Sequence, residues 1–495
     1  MGKEKNSKRD PDAKKFDIPV GKVLLVILLL TIGMVGQVFV LHQEYVTHIT
    51  LIFITIVASL VAMSCGYTWN DIKDAMMDGY QTGMYALVIL MTVGVVVSTW
   101  IAAGTIPTLI YYGLKVIDPT YFLVTACIVC AVSSVATGSS WTTGATFGIA
   151  FIGIGQGLGI NPAMTAGAVI SGAIFGDKMS PMSDSTNLAA AVAEADLFDH
   201  IKSMMYTTIP AISISLVIYL VIGLMNKTGG QIEAASINEV LNGLKNNYFV
   251  NPIALIPPVL VIVMAIKKFD GLVVMITASI VGMFMAMIFG GYDLGTVMNQ
   301  MDYGFVSETG IASVDKLLTR GGLQSMMWTV SLAFVALGFA GILEETGMLN
   351  SLLNSVRRFL KSTGQLVLVH GFIAIAVNIL STSQHMAIIL SGRMLEPEYK
   401  KRNYLPQINS RVCEDMATVT SPLVPWGLCG VYFSGVLGVS TWDYFPYVFL
   451  AFLTPVISVI YAFTGKFMFK EGDIESVNTY SGKYTIHVDD KVENE

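Results

Sequence analysis

Charge is scarce in this chain. Of its 495 residues only 13% are Asp, Glu, Lys or Arg, while 54% are hydrophobic. That is about half the charged share of an ordinary soluble domain. The mean hydropathy is +0.65, and apolar runs recur over most of the length, which predicts an all-α polytopic membrane protein. The net charge of −6 says little, because the charges sit in tails and loops. Cysteine is also sparse: Cys65, Cys127, Cys130, Cys413 and Cys429 lie in or beside apolar segments. Cys127-Ile128-Val129-Cys130 has C-x-x-C spacing, but no nearby His or second Cys pair completes a metal set, so ordinary packing is expected. A Walker A sequence is missing, which argues against ATP-driven pumping. The run Gly153-Ile154-Gly155-Gln156-Gly157-Leu158-Gly159 fails G-x-G-x-x-G spacing and lacks a strand–helix context. Nucleophile–base pairs and metal-ligand patterns are missing too, which argues against an enzyme. No sizeable soluble segment is present through which a receptor could signal. No cofactor, resident metal or nucleic-acid partner is expected.

What is present is a series of apolar runs. A spanning helix needs about 20 apolar residues. Candidates are 20–41, 46–65, 83–103, 205–225, 252–266, 271–290, 321–343 and 444–464. The run from Val20 to Leu41 is too long for a signal-peptide core, and no small-residue cleavage site follows it, so it reads as a retained first helix. Regions 121–160 and 365–393 are apolar runs with a polar break, and 162–197 and 408–438 contain carboxylates. Basic residues concentrate on the cytoplasmic side of membrane proteins. Lys3, Lys5, Lys8, Arg9, Lys14, Lys15 and Lys22 therefore place the N-terminus inside. Lys202, Lys267, Lys268, Arg357, Arg358, Lys361, Lys400, Lys401 and Arg402 then fall inside as well, while Lys115, Lys227, Lys245, Lys316 and Arg320 fall outside. Reading the two broken runs as re-entrant hairpins or as paired spans gives the same parity.

The halves resemble each other at an offset of 243 residues. Met84 pairs with Met327, Gly104 with Gly347, Thr120 with Thr363, Leu123 with Leu366, Val124 with Val367, Ala131 with Ala374, and Ser140 with Ser383. The order of elements also repeats: helix, short amphipathic stretch, broken apolar run, carboxylate-bearing helix. The expected fold is an inverted-topology repeat with two re-entrant hairpins and two broken helices, about 10 full spans plus hairpins, with the site near the midplane. The expected divisions are a cytoplasmic tail (1–19), repeat 1 (20–225), an extracytoplasmic linker (226–251), repeat 2 (252–465) and a cytoplasmic C-terminal tail (466–495).

Two polar clusters stand out within this apolar sequence. Gly176 to Asn187 carries Asp177, Lys178, Pro181, Ser183, Asp184, Ser185 and Thr186. Glu414 to Pro422 carries Asp415, Thr418, Thr420 and Ser421. A carboxylate at membrane depth costs several kcal/mol unless it is paired or binds a cation. Pro181 removes a helix donor and disfavours helical geometry at Ser180, so the helix should unwind between Asp177 and Asn187 and expose carbonyls; Pro422 and Pro425 should do the same in the second cluster. Asp177, Asp184 and Asp415 are candidate cation- and proton-binding carboxylates, with Asn187, Thr418 and Ser421 completing coordination and Lys178, Ser183, Ser185, Thr186, Glu344 and Glu414 as accessory groups. Lys178 could neutralise one carboxylate in an unloaded state. The polar breaks supply candidate hairpin tips: Ser139, Ser140 and Thr142 in the first, Ser381, Thr382, Ser383 and His385 in the second. Such polar backbone is tolerated at membrane depth where it is protein-buried or lines a wet cavity. Hard oxygen ligands suit Na⁺, and a carboxylate that binds Na⁺ or H⁺ but not both couples the two fluxes by competition. His200 and Lys202 read as a solvated helix end or a pH-sensing pair.

The motifs Gly176-Asp177-Lys178-Met179-Ser180-Pro181-Met182-Ser183-Asp184-Ser185-Thr186-Asn187-Leu188-Ala189 and Glu414-Asp415-Met416-Ala417-Thr418-Val419-Thr420-Ser421-Pro422-Leu423-Val424-Pro425-Trp426 closely resemble the NhaC family of Na⁺/H⁺ antiporters. Leu197-Phe198-Asp199-His200-Ile201-Lys202 and Gly341-Ile342-Leu343-Glu344 fit the same family, and the likeness runs from the first helix to the last. Two positions depart from the family pattern: Ala417, where Gly is common, and Gly427, where a polar residue is common. The resemblance implies Na⁺/H⁺ antiport in a bacterial plasma membrane, with exchange of malate and lactate or of amino acids in related members. It also implies scaffold and transport parts in elevator-like motion, usually in a homodimer. If the substrate were an organic acid, His385 or Arg393 would hold its carboxylate.

Overall fold

The computed structural model describes residues 16–39, 47–229, 234–267, 269–356 and 362–472. The expected cytoplasmic positions Lys3, Lys5, Lys8, Arg9, Lys14, Lys15, Lys268, Arg357, Arg358 and Lys361 lie outside the described residues, as do parts of the proposed linker and both tails. Among the described residues the regular structure is helical, with only the isolated bridges Phe305–Arg320 and Tyr404–Lys470.

The first half runs through α1 (Val20–Phe39), α2 (Thr47–Met63), α3 (Trp69–Ala102) and α4 (Thr105–Val116) to α5 (Phe122–Thr137). Then come α6 (Ser140–Thr143), α7 (Ile149–Gly157), α8 (Pro162–Met179), α9 (Asp184–Val192) and α10 (Leu197–Gly229). Between the halves stands α11 (Ala234–Asn247), followed by α12 (Ile256–Ile266), α13 (Gly271–Phe289), α14 (Leu294–Tyr303) and α15 (Ala312–Leu318). The remainder is α16 (Leu323–Glu345), α17 (Met348–Val356), α18 (Thr363–Ser381), α19 (Gln384–Lys400), α20 (Pro406–Cys413), α21 (Leu428–Leu437), α22 (Thr441–Tyr444) and α23 (Phe449–Thr464).

Six of these segments are long and apolar enough to cross a membrane: Trp69–Ala102, Pro119–Thr137, Leu197–Met225, Gly271–Phe289, Leu323–Glu345 and Thr363–Ser381. Two bent pairs, Asn238–Asn247 with Pro252–Ile266 (91°) and Thr441–Tyr447 with Phe449–Thr464 (52°), bring the number to as many as eight. Their outward faces are apolar, as lipid contact requires: Ile214, Val217, Val221 and Leu224 stand exposed along α10. The protein is therefore built as a helical membrane protein.

The chain divides into two compact units. One draws on Met1–Thr82 and Val335–Arg358, the other on Gly83–Phe334 and Phe359–Glu495. In the first unit, Gly79 of α3 meets the backbone of Leu337 and Gly341 in α16, and a side chain at either glycine would collide with the facing backbone. Buried Gln37 joins α1 to α2 through Thr47 (2.9 Å) and Thr50 (3.1 Å). Glu344 occupies the last turn of α16 in this unit and is half-buried.

The second unit holds both polar clusters and both broken runs. The first broken run turns at Gly138, which closes α5 at φ 68°. The second turns at Thr382, a non-glycine residue at φ 59°. That left-handed conformation is costly outside glycine, and residues that hold it cluster at functional sites. Arms α18 and α19 pack along each other, whereas α5 packs most closely against α8. Gly172 and Gly176, one turn apart on α8, make that crossing possible. A Cβ at either would overlap the carbonyl of Cys127 or Ala131 in α5, the close approach that small residues permit between membrane helices. Cys127 and Cys130 are free thiols buried in α5.

Candidate functional site

The first cluster breaks its helix over four residues. α8 ends at Met179 and α9 begins at Asp184, so the gap is shorter than the 177–187 stretch expected. Asp177 and Lys178 lie in the last turn of α8, and Asp184 opens α9. The freed backbone is satisfied locally. The Asn187 amide donates to the Pro181 and Ser183 carbonyls (2.9 and 2.6 Å), the Thr186 hydroxyl to the Lys178 carbonyl (3.1 Å), and the Ser180 hydroxyl to Val135 in α5 (2.9 Å). Ser183 and Ser185 hydrogen-bond each other at 3.1 Å. Asn187 is exposed and acts as a clasp on the break.

The second cluster is irregular in another way. Residues Glu414–Thr418 form a single π turn continuous with α20, followed by a 3₁₀ turn at Ser421–Leu423. The extra residue in a π turn shifts the helical register, and such bulges concentrate at functional sites. Here both consecutive carboxylates, Glu414 and Asp415, are completely buried. A second π turn, Gly144–Gly148, lies in the outgoing arm of the first broken run.

Each polar break docks on the carboxylate cluster of its own half. The Ser140 hydroxyl donates to Asp177 Oδ2 at 2.6 Å, while Oδ1 has no donor. Ser139 caps α6 by accepting from the Thr142 amide (3.1 Å) and is also hydrogen-bonded to the Thr142 hydroxyl (3.2 Å). In the second half, the Ser421 hydroxyl donates to Gln384 Oε1 (2.9 Å) and Asn378 donates to the Ala417 carbonyl (2.6 Å). Ser383 caps α19, the Ser381 hydroxyl reaches the Ser383 carbonyl at 3.3 Å, and the Thr382 carbonyl accepts from Leu428 at 2.9 Å.

Among the described residues three ion pairs join the halves, one of them the exposed Lys400–Glu194 pair at 3.0 Å. The Lys178 ammonium donates to Asp415 Oδ1, both side chains being fully buried. Thr207 of α10 donates to the same oxygen at 2.9 Å. His385 Nε2 meets Asp184 Oδ2 at 3.1 Å, with both side chains exposed, 44% and 77%. Asp177, Lys178, Glu414 and Asp415 thus form a buried group with three carboxylates and one ammonium. No donor lies within 3.5 Å in good geometry of either Glu414 oxygen or of Asp415 Oδ2, with the Thr418 and Ser185 hydroxyls beside Glu414. Asp184 and His385 form a separate, exposed pair. Arg393 is exposed. His200, read from the sequence as a solvated helix end, is instead completely buried and hydrogen-bonded to Ser410 (2.7 Å).

Thr207, Asn378 and Gln384 were not picked out from the sequence. Asn378 and Gln384 flank the second polar break, which is a usable signal. Thr207 lies in an ordinary apolar run and gives none.

A helical membrane protein that buries this charged group in its interior is built to handle ions away from lipid. The sequence profile of the Na⁺/H⁺ antiporter family matches residues 172–466, which include both clusters; that of the C4-dicarboxylate anaerobic carriers matches 3–247. The chain belongs to the Na⁺/H⁺ antiporter family, of the NhaC type. It is 37% identical over 447 residues to the Na⁺/H⁺ antiporter NhaC of Alkalihalophilus pseudofirmus, covering 90% of this chain and 96% of the relative. It is 37% identical over 412 residues to the malate-2H⁺/Na⁺-lactate antiporter of Bacillus subtilis (83% and 88% covered). It is 35% identical over 415 residues to the arginine/ornithine antiporter ArcD of Halobacterium salinarum (83% and 85% covered).

Proposed function

We propose that this protein exchanges Na⁺ for H⁺ across a bacterial plasma membrane, with Asp177, Asp184 and Asp415 as the exchangeable carboxylates. The observation that carries this reading for Asp177 and Asp415 is the buried group these two form with Glu414 around one ammonium, with oxygens that no protein donor satisfies. With every carboxylate ionised the group is net negative, a burden that a bound cation or protons relieve. Lys178 holds Asp415 neutral as a pair in the unloaded state. Asp177 takes a cation or a proton, with Ser140 at its side, and the two ions compete for it. Thr418 and Ser421 supply neutral oxygens beside Asp415, and Asn187 holds the first break in shape. The Asp184–His385 pair sits where the first broken helix meets the second hairpin tip.

The finer architecture belongs to the same proposal: an inverted repeat of 20–225 and 252–465, two re-entrant hairpins, about 10 spans, cytoplasmic termini, an extracytoplasmic linker at 226–251 and a homodimer. The 243-residue offset and the matching of each tip to its own broken helix support it.

The second reading, a Na⁺-coupled exchanger of organic acids such as malate and lactate, draws on the relative of that name. The excess of carboxylates over cations favours cation exchange, and Arg393, one of the two groups that would bind a substrate carboxylate, is exposed. Asp177→Asn or Asp415→Asn should abolish Na⁺-dependent proton flux in everted vesicles, and wild-type flux in both would remove the assignment. Lactate or malate counterflow in proteoliposomes would shift the conclusion to the second reading.

A further inference from the structure

The antiport reading leaves one buried group unused. α10 presents a buried stripe of polar residues to α20 and the π turn: His200, Ser203, Thr207 and Thr208, all with no exposed surface. Residues 200, 203 and 207 share one helix face, and the stripe spans about 10 Å at 1.5 Å rise per residue. At its far end the Thr207 hydroxyl donates to Asp415 Oδ1. At its near end Asp196 and Phe198 are exposed, so His200 stands one helical turn below the surface. Between these ends the protein leaves hydrogen-bonding capacity open. His200 Nδ1 is engaged by Ser410, but Nε2 has no partner; neither do Ser203 Oγ, Thr208 Oγ1 or Asp415 Oδ2.

Buried polar atoms are nearly always satisfied by protein or ordered water, and a water needs two to four polar partners to stay. Isolated orphans would be a packing accident. Orphans in a line, on one face of one helix, ending on a functional carboxylate, have the pattern of a hydrated file. We propose that His200, Ser203 and Thr207 line a water-filled route by which protons reach Asp415 from the Leu197 end of α10. Each transfer breaks an O–H bond of one water or hydroxyl as the next is formed, so no group need stay charged along the way. His200 serves as a hydrogen-bonding station and Ser203 as the midpoint. The route rests on the antiport reading for its destination, but its hydration can be tested independently.

Val and Thr are nearly isosteric at position 203 and differ in the hydroxyl. In the full-length protein in proteoliposomes under a Na⁺ gradient, Ser203→Thr should keep turnover near wild type. Ser203→Val should lower proton movement about tenfold or more while Na⁺ binding to the solubilised protein stays unchanged. Equal turnover in the two variants overturns the route. Radiolytic hydroxyl-radical footprinting of the wild type needs neither transport nor a variant. Met204 should oxidise several times faster than Met275, which is also buried, on α13. Rates no higher than that of Met275 overturn the proposal, even if exchange is normal. A wild type that footprints as expected but exchanges no Na⁺ for H⁺ defeats the antiport reading and leaves the hydrated file standing.

Discussion

The Lys178–Asp415 pair offers a sharp test of what the buried charges do. Both side chains have no exposed surface, and Asp415 keeps a single further donor, Thr207 at 2.9 Å, with Oδ2 unpartnered. Removing one partner of such a pair leaves a buried charge with little to compensate it, which costs about 3–5 kcal/mol, whereas replacing both by apolar residues of similar volume is often neutral or stabilising. Asp415→Leu and Lys178→Met should therefore each melt well below the wild type in detergent, and the double variant Lys178→Met/Asp415→Leu should recover most of the loss. The two single losses would then fail to add, with a coupling of several kcal/mol as expected for groups in contact. Na⁺ supplies the second axis. With Lys178 gone, a free cation can take its place at Asp415, so Na⁺ should raise the melting temperature of Lys178→Met more than that of the wild type, by the linkage that stabilises any liganded native state. A double variant as unstable as the sum of the singles would refute the pair as a coupled unit. A Lys178→Met protein indifferent to Na⁺ would refute competition between lysine and cation for Asp415.

Three further outcomes follow from other parts of the molecule. Ser140→Ala removes the 2.6 Å donor to Asp177; a hydrogen bond to a charged group contributes about 1.5–3 kcal/mol, so protons should compete better at Asp177 and the Na⁺ half-saturation at neutral pH should rise about tenfold, and an unchanged value would count against Asp177 as the shared site. Gly172→Val should prevent α5 from docking on α8 and yield aggregated protein in detergent chromatography, while Gly21→Ala, which meets nothing within 4 Å, should behave as wild type. Asp315, on α15, accepts from the preceding loop, from the Ser307 hydroxyl (2.7 Å) and from the Thr309 amide and hydroxyl (2.8 and 2.7 Å), and these bonds, Ser307 first, hold its carboxyl below the usual carboxylate range. A depressed value means the loop's stabilisation is present above the unfolded value of about 3.9 and is lost as pH falls through the folded one; a spin label at exposed Glu308 should gain mobility only in that acid window, and Asp315→Asn should show the same mobility at neutral pH.

Much of the candidate site was legible in the sequence because membrane burial makes polarity conspicuous. Asp177, Lys178, Glu414 and Asp415 stood out against apolar surroundings, and Pro181 marked the first break to within a few residues. The shape of the second break was less visible. Pro422 and Pro425 signalled irregular backbone after Asp415, but the π turn that buries both carboxylates begins at Glu414, where no proline or glycine announces it. His200 was misread because its neighbours Asp199 and Lys202 are charged. Only the packing of α10 on α20 reveals that one side of that turn is interior.

The choice of partners was beyond the sequence. Composition and hydropathy determined that the chain is helical and lies in a membrane, since backbone polar groups in lipid must be satisfied within the segment. The spacing of basic residues supplied an expected orientation, and the polar clusters supplied the candidate ligands. The tertiary structure decided which charges meet. It placed Lys178 on Asp415 rather than on its neighbours Asp177 or Asp184, gave Ser140 to Asp177, and left Asp184 with His385 at an exposed junction. Such choices depend on which helix faces which, and on the register of a turn with one extra residue. They are set by close glycine crossings such as that of Gly172 and Gly176 of α8 against α5, contacts between residues far apart in the chain that no local pattern encodes.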